Sequence, residues 1–394
     1  MKRHHLALAT FCALASTAHA QSSVTLYGIV DEGIDYQSNA AGHPSWSMLG
    51  GVMSGSRWGL RGSEDLGGGM KAIFVLENGF NPSNGGFGQG GLMFGRQAYV
   101  GLGDRFGTVT LGRQYESVVD YVGPLEAGDQ WGGYIAAHPG DLDNFNNSYR
   151  ANNTVKFASA NYNGLTFGGT YSFGGQAGNF TGNQIWSLGT GYNNGPLTLG
   201  AAYLNARTPA APGGMLNNSG SVVASPGNAL ASTPVYGGFA SANTYQVIGA
   251  GGAYTFGAAT LGATYSNIKF MNLGTVAVTG TPHYTGTATF NNAELNFKYQ
   301  VTPALLVGAA FDYTDGSRVS RTNGPANAGA KYYQGSLGVD YFLSKRTDVY
   351  LVGIYQHANG TDSTGDAARA SINLLTASNG NNQSTVRIGI RQKF

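Results

Sequence analysis

Apolar and polar residues alternate along this chain with a period of two, in segments of about ten residues that recur from Val24 to the last residue. In "LTFGGTYSF", Leu165, Phe167, Tyr171 and Phe173 share one face, and Thr166, Gly168, Thr170 and Ser172 share the other. "NAELNFKYQV" sets Ala293, Leu295, Phe297, Tyr299 and Val301 against Asn292, Glu294, Asn296, Lys298 and Gln300. "ALLVGAAFDYT" sets Leu305, Val307, Ala309, Phe311 and Tyr313 against Gly308, Ala310, Asp312 and Thr314. The closing "STVRIGIRQKF" sets Val386, Ile388, Ile390 and Phe394 against Arg387, Gly389, Arg391 and Lys393, with Gln392 the one polar interruption. Successive side chains of a strand point to opposite faces, so each segment has an apolar side and a hydrophilic side. The hydrophilic sides carry too many charges and amides for a packed interior. They suit a water-filled lumen.

Strands are expected at 24–35, 54–65, 69–80, 93–104, 107–114, 152–162, 164–173, 183–194, 195–206, 244–256, 257–270, 289–301, 303–315, 331–343, 346–358 and 384–394. These sixteen make the even number that a closed antiparallel barrel with both termini on one side requires. Turns such as "EDLGG", "GDRFG", "NYNG" and "QVTP" carry the Gly, Asn and Pro of tight reversals. They alternate with long loops near 36–53, 81–92, 115–151, 174–182, 207–243, 271–288, 316–330 and 359–383. The last strand must then pair with the first, "VTLYGIVD", so that no sheet edge is left in the membrane. Two places fit less simply. "DVYLVGIYQ" is apolar on both faces, which leaves its register open. Glu32 shares parity with Val30 and Ile34 on the lipid side, where a carboxylate is unfavourable. Either the register differs there or a neighbouring subunit covers that wall.

Composition separates this class from its rivals. Only 11% of residues are charged and 63 of 394 are glycine, yet no run approaches the roughly 18 apolar residues of a transmembrane helix. The start, "MKRHHLALATFCALASTAHA", has basic Lys2 and Arg3, a short apolar run and Ala18-His19-Ala20. Residues 1–20 are therefore expected to be a cleaved signal peptide and 21–394 the barrel. The single cysteine, Cys12, lies in that leader, so no disulfide is expected. Loss of Lys2 and Arg3 brings the 22 basic residues level with the 20 acidic ones. A neutral chain offers no basic surface to nucleic acid.

The ordered motifs "SSVTLYGIVDEGIDY", "SGSRWGLRGSEDLGGGMKAIFVLENGF", "FGRQAYVGLGDRFGTVTLGRQYES", "RANNTVKFAS" and the terminal "IRQKF" resemble the general trimeric porins of Gram-negative outer membranes, the betaproteobacterial branch above all. The resemblance covers the whole mature chain. It implies an all-β, 16-stranded antiparallel transmembrane barrel in the cell outer membrane, assembled as a homotrimer among lipid and lipopolysaccharide. Each subunit would hold its own pore for passive diffusion of ions and small hydrophilic solutes, with no cofactor. It also implies that Phe394 ends a C-terminal signal read by the barrel insertion machinery. The third loop, about 115–150, would fold into the barrel as a constriction loop carrying Glu126, Asp129, Asp141 and Asp143.

Opposite that loop the resemblance places a basic wall on Arg57, Arg96, Arg113 and Arg150, to which parity adds Arg61, with Glu77 and Lys156 also on the lumen wall. Parity supports part of it: Arg57, Gly59 and Arg61 lie opposite Trp58 and Leu60, and Arg150 shares a face with Asn152, Thr154 and Lys156. Strict alternation points Arg113 outward, so its place rests on the resemblance alone. A basic wall facing an acidic loop acts by field, and arginine keeps its charge in a confined pore. By parity the lumen-facing basic residues (Lys71, Lys298, Arg387 and Arg391 besides those named) outnumber Asp31, Asp35, Glu77, Glu294 and Asp312. A weak anion preference is expected, which the loop carboxylates would oppose.

No enzyme is expected. His43, His138, His283 and His357 show no metal-ligand spacing, and His138 reads as a solvated loop residue. "GFGQGG" matches a dinucleotide fingerprint only as chance among so many glycines, since no strand–helix unit surrounds it. Three alternatives have distinct signatures. An outer-wall serine hydrolase would need a serine beside His357. A plugged structural barrel would lack polar inner faces. A sugar-specific channel would show lumenal aromatic rows, of which only Tyr27 and Tyr332 are candidates.

Overall fold

The computed structural model describes residues 22–218, 233–277 and 283–394. The expected leader 1–20, and the middle of the loops at 207–243 and 271–288, lie outside the described residues. One sheet holds eighteen strands. They are β1 (Ser23–Ala40), β2 (His43–Met48), β3 (Arg57–Gly67), β4 (Met70–Gly79), β5 (Gln97–Gly103), β6 (Gly107–Gln114), β7 (Ala151–Ser159), β8 (Leu165–Ser172) and β9 (Ile185–Asn194). The series continues with β10 (Leu197–Arg207), β11 (Thr244–Phe256), β12 (Ala259–Leu273), β13 (Tyr284–Thr302), β14 (Leu305–Gly316), β15 (Ser320–Arg321), β16 (Ala330–Phe342), β17 (Thr347–Gly360) and β18 (Asn382–Lys393).

Two of the eighteen belong to loops. β2 folds back on the end of β1 through Ala41 and Gly42, both at positive φ, and β15 touches only the start of β13. The other sixteen pair antiparallel, each with its sequence neighbour, and β18 closes on β1. That closure runs in register from Ile29↔Lys393 to Gln37↔Thr385. Phe394 completes it by exchanging two 3.0 Å backbone bonds with Gly28. A strand ending on an outward aromatic thus seals the barrel.

Alternation sorts the wall as expected. Leu295, Phe297, Tyr299 and Val301 are exposed on β13, while Asn292, Glu294 and Asn296 between them are buried. Val386, Ile388 and Ile390 of β18 are exposed, and Arg387 is fully buried. The ambiguous β17 resolves the same way, with Leu351 and Tyr355 outward and Tyr350, Val352 and Ile354 inward. Its inner face is apolar because it meets Val52, Met53, Ile135, Ala136 and Ile372, not water. Glu32 keeps its expected parity: it pairs with Ile390, beside exposed Ile34. Its carboxylate accepts a bond from Ser83 Oγ at 2.7 Å and one from the Gly33 amide at 3.0 Å.

The segment between β6 and β7 begins with a short helix α1 (Ser117–Tyr121), capped by the Glu116 carboxylate on the Val118 amide at 2.6 Å. A π-turn follows at Gly128–Gly132. This segment packs on inner-face residues where the wall gives it room. Trp131 lies against Gly308 and Gly338, and Tyr121 against Gly189 and Gly191, where any Cβ would collide with the ring. Several wall glycines are therefore seats for loop aromatics.

Candidate functional site

Arg57, Arg96 and Arg150, expected on the wall, gather around Tyr115, and the wall's basic residues differ in how they are held. Arg96, just before β5, is buried and donates to Glu77 Oε1 at 2.8 Å and to the Tyr115 hydroxyl at 2.9 Å. Glu77 also accepts from Tyr27 at 2.9 Å. Arg150 stacks its guanidinium 5.6 Å from the Tyr115 ring and donates to the Ser148 carbonyl at 3.2 Å. Arg57 turns back to its own chain, donating to the Gly55 carbonyl at 2.8 Å. Arg61, further along β3, is exposed and lies 5.3 Å from the Tyr27 ring.

Arg113 departs from alternation. The register shifts between Gly112 and Gln114, and Gly112 sits at φ 141. This bulge buries Arg113 and Gln114 in succession and re-aims the arginine. Its guanidinium donates to the Gly95 carbonyl at 2.8 Å and to Asn152 Oδ1 at 2.5 Å. Among the described residues Arg57, Arg61, Arg113 and Arg150 make no ion pair with a carboxylate, whereas Arg96 does. Lys156 pairs with Asp120 of α1 and donates to the Tyr115 carbonyl. Nothing in the sequence singled out Asp120 or Tyr115.

The four loop carboxylates separate into two kinds. Glu126, Asp141 and Asp143 are fully buried. Asp141 accepts the Asn146 and Ser148 amides at 3.0 and 2.9 Å and so holds the loop's own turn. Burial, with Asp143 close by, pushes Asp141 up to about 6. Glu126 accepts the His138 amide at 2.9 Å. Burial raises its pKa well above the carboxylate range against the opposing pull of His138. Only Asp129 keeps contact with water. It still sits deep among protein atoms, and that desolvation, with Asp141, pushes it up to about 7 while Arg57 and Arg96 pull the other way.

His138 is not the solvated residue the sequence led us to expect. It is fully buried, with Nδ1 2.7 Å from Asp143 Oδ2. Burial disfavours its charge, but Asp143, Glu126 and Asp312 outweigh that and hold its pKa well above the imidazole range. Lumenal charges counted by parity are also paired: Arg387 bridges Asp31 and Asp35, and Arg391 bridges Asp348 and Asp340. His357 Nδ1 lies 2.8 Å from Asn382 Oδ1, an amide and not a serine.

Three cavities of about 340–380 Å³ follow one another along the lumen. The first is lined by the long-loop residues Leu49, Phe80 and Leu374, with Arg96 and Arg150 at its floor. The second is lined by Arg57, Arg96, Tyr115, Asp120, Asp129 and Tyr134. The third reaches the short-turn residues Asn161, Asn193 and Thr255, past Lys298. Arg96, Tyr134 and Asn147 line both the first and the second, and Asp120 and Pro124 line both the second and the third.

Comparison with known proteins agrees with this architecture. The family described as Gram-negative porin matches residues 6–363. An outer membrane porin protein of Bordetella pertussis is 33% identical over 392 residues, spanning 90% of this chain and 94% of that protein. Outer membrane porin protein 32 of Delftia acidovorans is 35% identical over 223 residues, spanning 53% of this chain and 61% of the relative. The solved anion-selective porin from Comamonas acidovorans superposes with a TM-score of 0.70 at 25% identity, covering 95% of this chain and all of that one.

Proposed function

The chain belongs to the Gram-negative porins of the outer membrane, and from that premise we propose that segment 115–150 narrows its diffusion channel to a gap whose net field favours anions. The observation that carries this reading is the run of cavities from the long-loop end to the short-turn end, joined at Arg96, Tyr134, Asp120 and Pro124. Around the middle cavity Arg57 has no carboxylate partner among the described residues, and the facing loop offers Asp129 as its water-exposed acid. Arg150 adds a second uncompensated charge in the first cavity. Arg96 with Glu77, and Lys156 with Asp120, are each close to neutral as pairs. The anion-selective behaviour named for the Comamonas relative points the same way.

In this reading Glu126, Asp141 and Asp143 hold the loop in place, and the acidic side of the gap is Asp129. A homotrimer is in keeping with the family likeness and with Glu32 on the lipid-side face, where a partner barrel would relieve its exposure. The outward Phe394 is the residue offered to the insertion machinery, and lipopolysaccharide would surround the long-loop end. Transport is passive: the groups lining the cavities supply charge and hydrogen bonds, not bond-making chemistry.

Reversal potentials in planar bilayers across a KCl gradient test the field. The wild type is expected to prefer chloride, and Arg57→Ala to lose much of that preference with its conductance retained. A cation-preferring wild type would overturn the charge assignment while leaving the channel in place.

A further inference from the structure

The carboxylates behind the constriction segment lack a counter-charge. Glu126, Asp143, Glu294 and Asp312 converge on His138, every one of them buried. Among the described residues none of these four pairs with a lysine or arginine. One imidazole faces four carboxyl groups, and a carboxylate taken out of water without a cationic partner is strongly disfavoured. The imidazole is also oriented. Its Nδ1 meets Asp143 Oδ2 at 2.7 Å, and the same oxygen accepts Ser266 Oγ at 2.6 Å. That leaves Nε2, fully buried and without a hydrogen-bond partner, aimed at Glu126 Oε1, Glu294 Oε2 and Asp312 Oδ2 at 3.8, 3.7 and 3.7 Å. An Nε2–H would need an acceptor within about 3.2 Å, and none of the three oxygens comes that close.

We propose that His138 Nε2, Glu126, Glu294 and Asp312 form a structural site for a divalent transition metal of the zinc class. One nitrogen and three oxygens around a buried point match zinc's four-coordinate preference, and bonds of about 2.0–2.2 Å put ligand atoms about 3.4 Å apart. The three nitrogen–oxygen distances therefore need to shorten by only a few tenths of an ångström. The ligand atoms of Glu126, His138 and Glu294 already lie within 4.8 Å of one another. Imidazole in the set selects zinc over calcium or magnesium. Asp143 then serves as the outer carboxylate that fixes the tautomer and raises the basicity of the ligating nitrogen. Glu126 and His138 come from the constriction segment, Glu294 from β13 and Asp312 from β14. The metal clips the segment to the wall.

The test measures zinc per chain by elemental analysis of the full-length refolded barrel, stripped with chelator, reloaded with Zn²⁺ and dialysed. One zinc per wild-type chain is expected. Glu294→Gln and His138→Gln should retain at least tenfold less, and Asp143→Asn should bind about 10–100-fold more weakly. A folded wild type that retains no zinc, or equal retention by wild type and both ligand variants, overturns the site. Should a variant fail to refold, Co²⁺ loaded into the wild type decides. A tetrahedral visible spectrum supports the cage, and an octahedral spectrum or none sinks it. A barrel that conducts but retains no zinc after reloading sinks the site alone and leaves the channel reading standing.

Discussion

The two sides of segment 115–150 are opposite in charge and in the state of that charge. Toward β3–β7 it faces Arg57, Arg96, Arg113 and Arg150, of which Arg57, Arg113 and Arg150 have no carboxylate partner among the described residues, and of these Arg57 and Arg150 line the lumenal cavities. Toward β13–β16 it buries Glu126, Asp143, Glu294 and Asp312 around one histidine, and it seats Trp131 on bare glycine backbone. A charge left beside water keeps its field and can act on a passing ion. A charge taken out of water must be matched where it stands, so its role is to hold. On the proposed reading, the same residue types do different work on the two sides.

The strongest way to break this division is to loosen the side that holds. Trp131 is fully buried, and truncating a buried tryptophan costs about 3–5 kcal/mol. Trp131→Ala is expected to raise amide exchange in peptides from α1 to the π-turn by on the order of a hundredfold or more. The wall strands should keep their protection. Unchanged exchange in that segment would mean that ring packing on Gly308 and Gly338 is not what fixes it.

The next largest effect comes from the side that acts. Arg57→Glu reverses a charge that makes no ion pair among the described residues, a change of two units. An elementary charge about 4 Å from an ion is worth about 1 kcal/mol in water, so the reversal amounts to about 2 kcal/mol before screening. The reversal potential is expected to change sign at low salt and to shrink toward zero at high salt. The same substitution at Arg96 is a poor probe, because its guanidinium already belongs to Glu77. A reversal potential unaffected by Arg57→Glu would move the selectivity away from this wall.

The wall was legible in the sequence because a period of two persists along most of each strand. Strand β11 falls on the expected 244–256, and even Glu32 kept its parity. The polar reading of the inner faces was too simple. Gly308 read as a hydrophilic position but, with Gly338, carries Trp131, and the inner face of β17 is apolar because loops cover it. Arg113 was invisible to alternation because a bulge depends on backbone geometry at Gly112. His138 was misread because its partners Glu294 and Asp312 lie on strands more than 150 residues away. Both were already recognisable as inward carboxylates. What no pattern supplied was the fold of the loop that brings a histidine to them.

The smallest effect sharpens the comparison at its one shared residue, Asp129, which belongs to the loop that holds but stands in the water that acts. With a pKa near 7 it is mostly neutral at pH 6 and mostly ionised at pH 8. Rising pH therefore adds a negative charge opposite Arg57. Anion preference is expected to be greatest below pH 7 and to fall as pH passes through 7, by up to about 1 kcal/mol in the ratio of permeabilities. The buried carboxylates face no permeating ion, so their titration should not enter the curve. Asp129→Asn should hold the preference at its low-pH level throughout and flatten the profile. A profile that persists in Asp129→Asn would place the titrating group elsewhere. The side that holds would then reach into the gap, and the division between the two faces would fail.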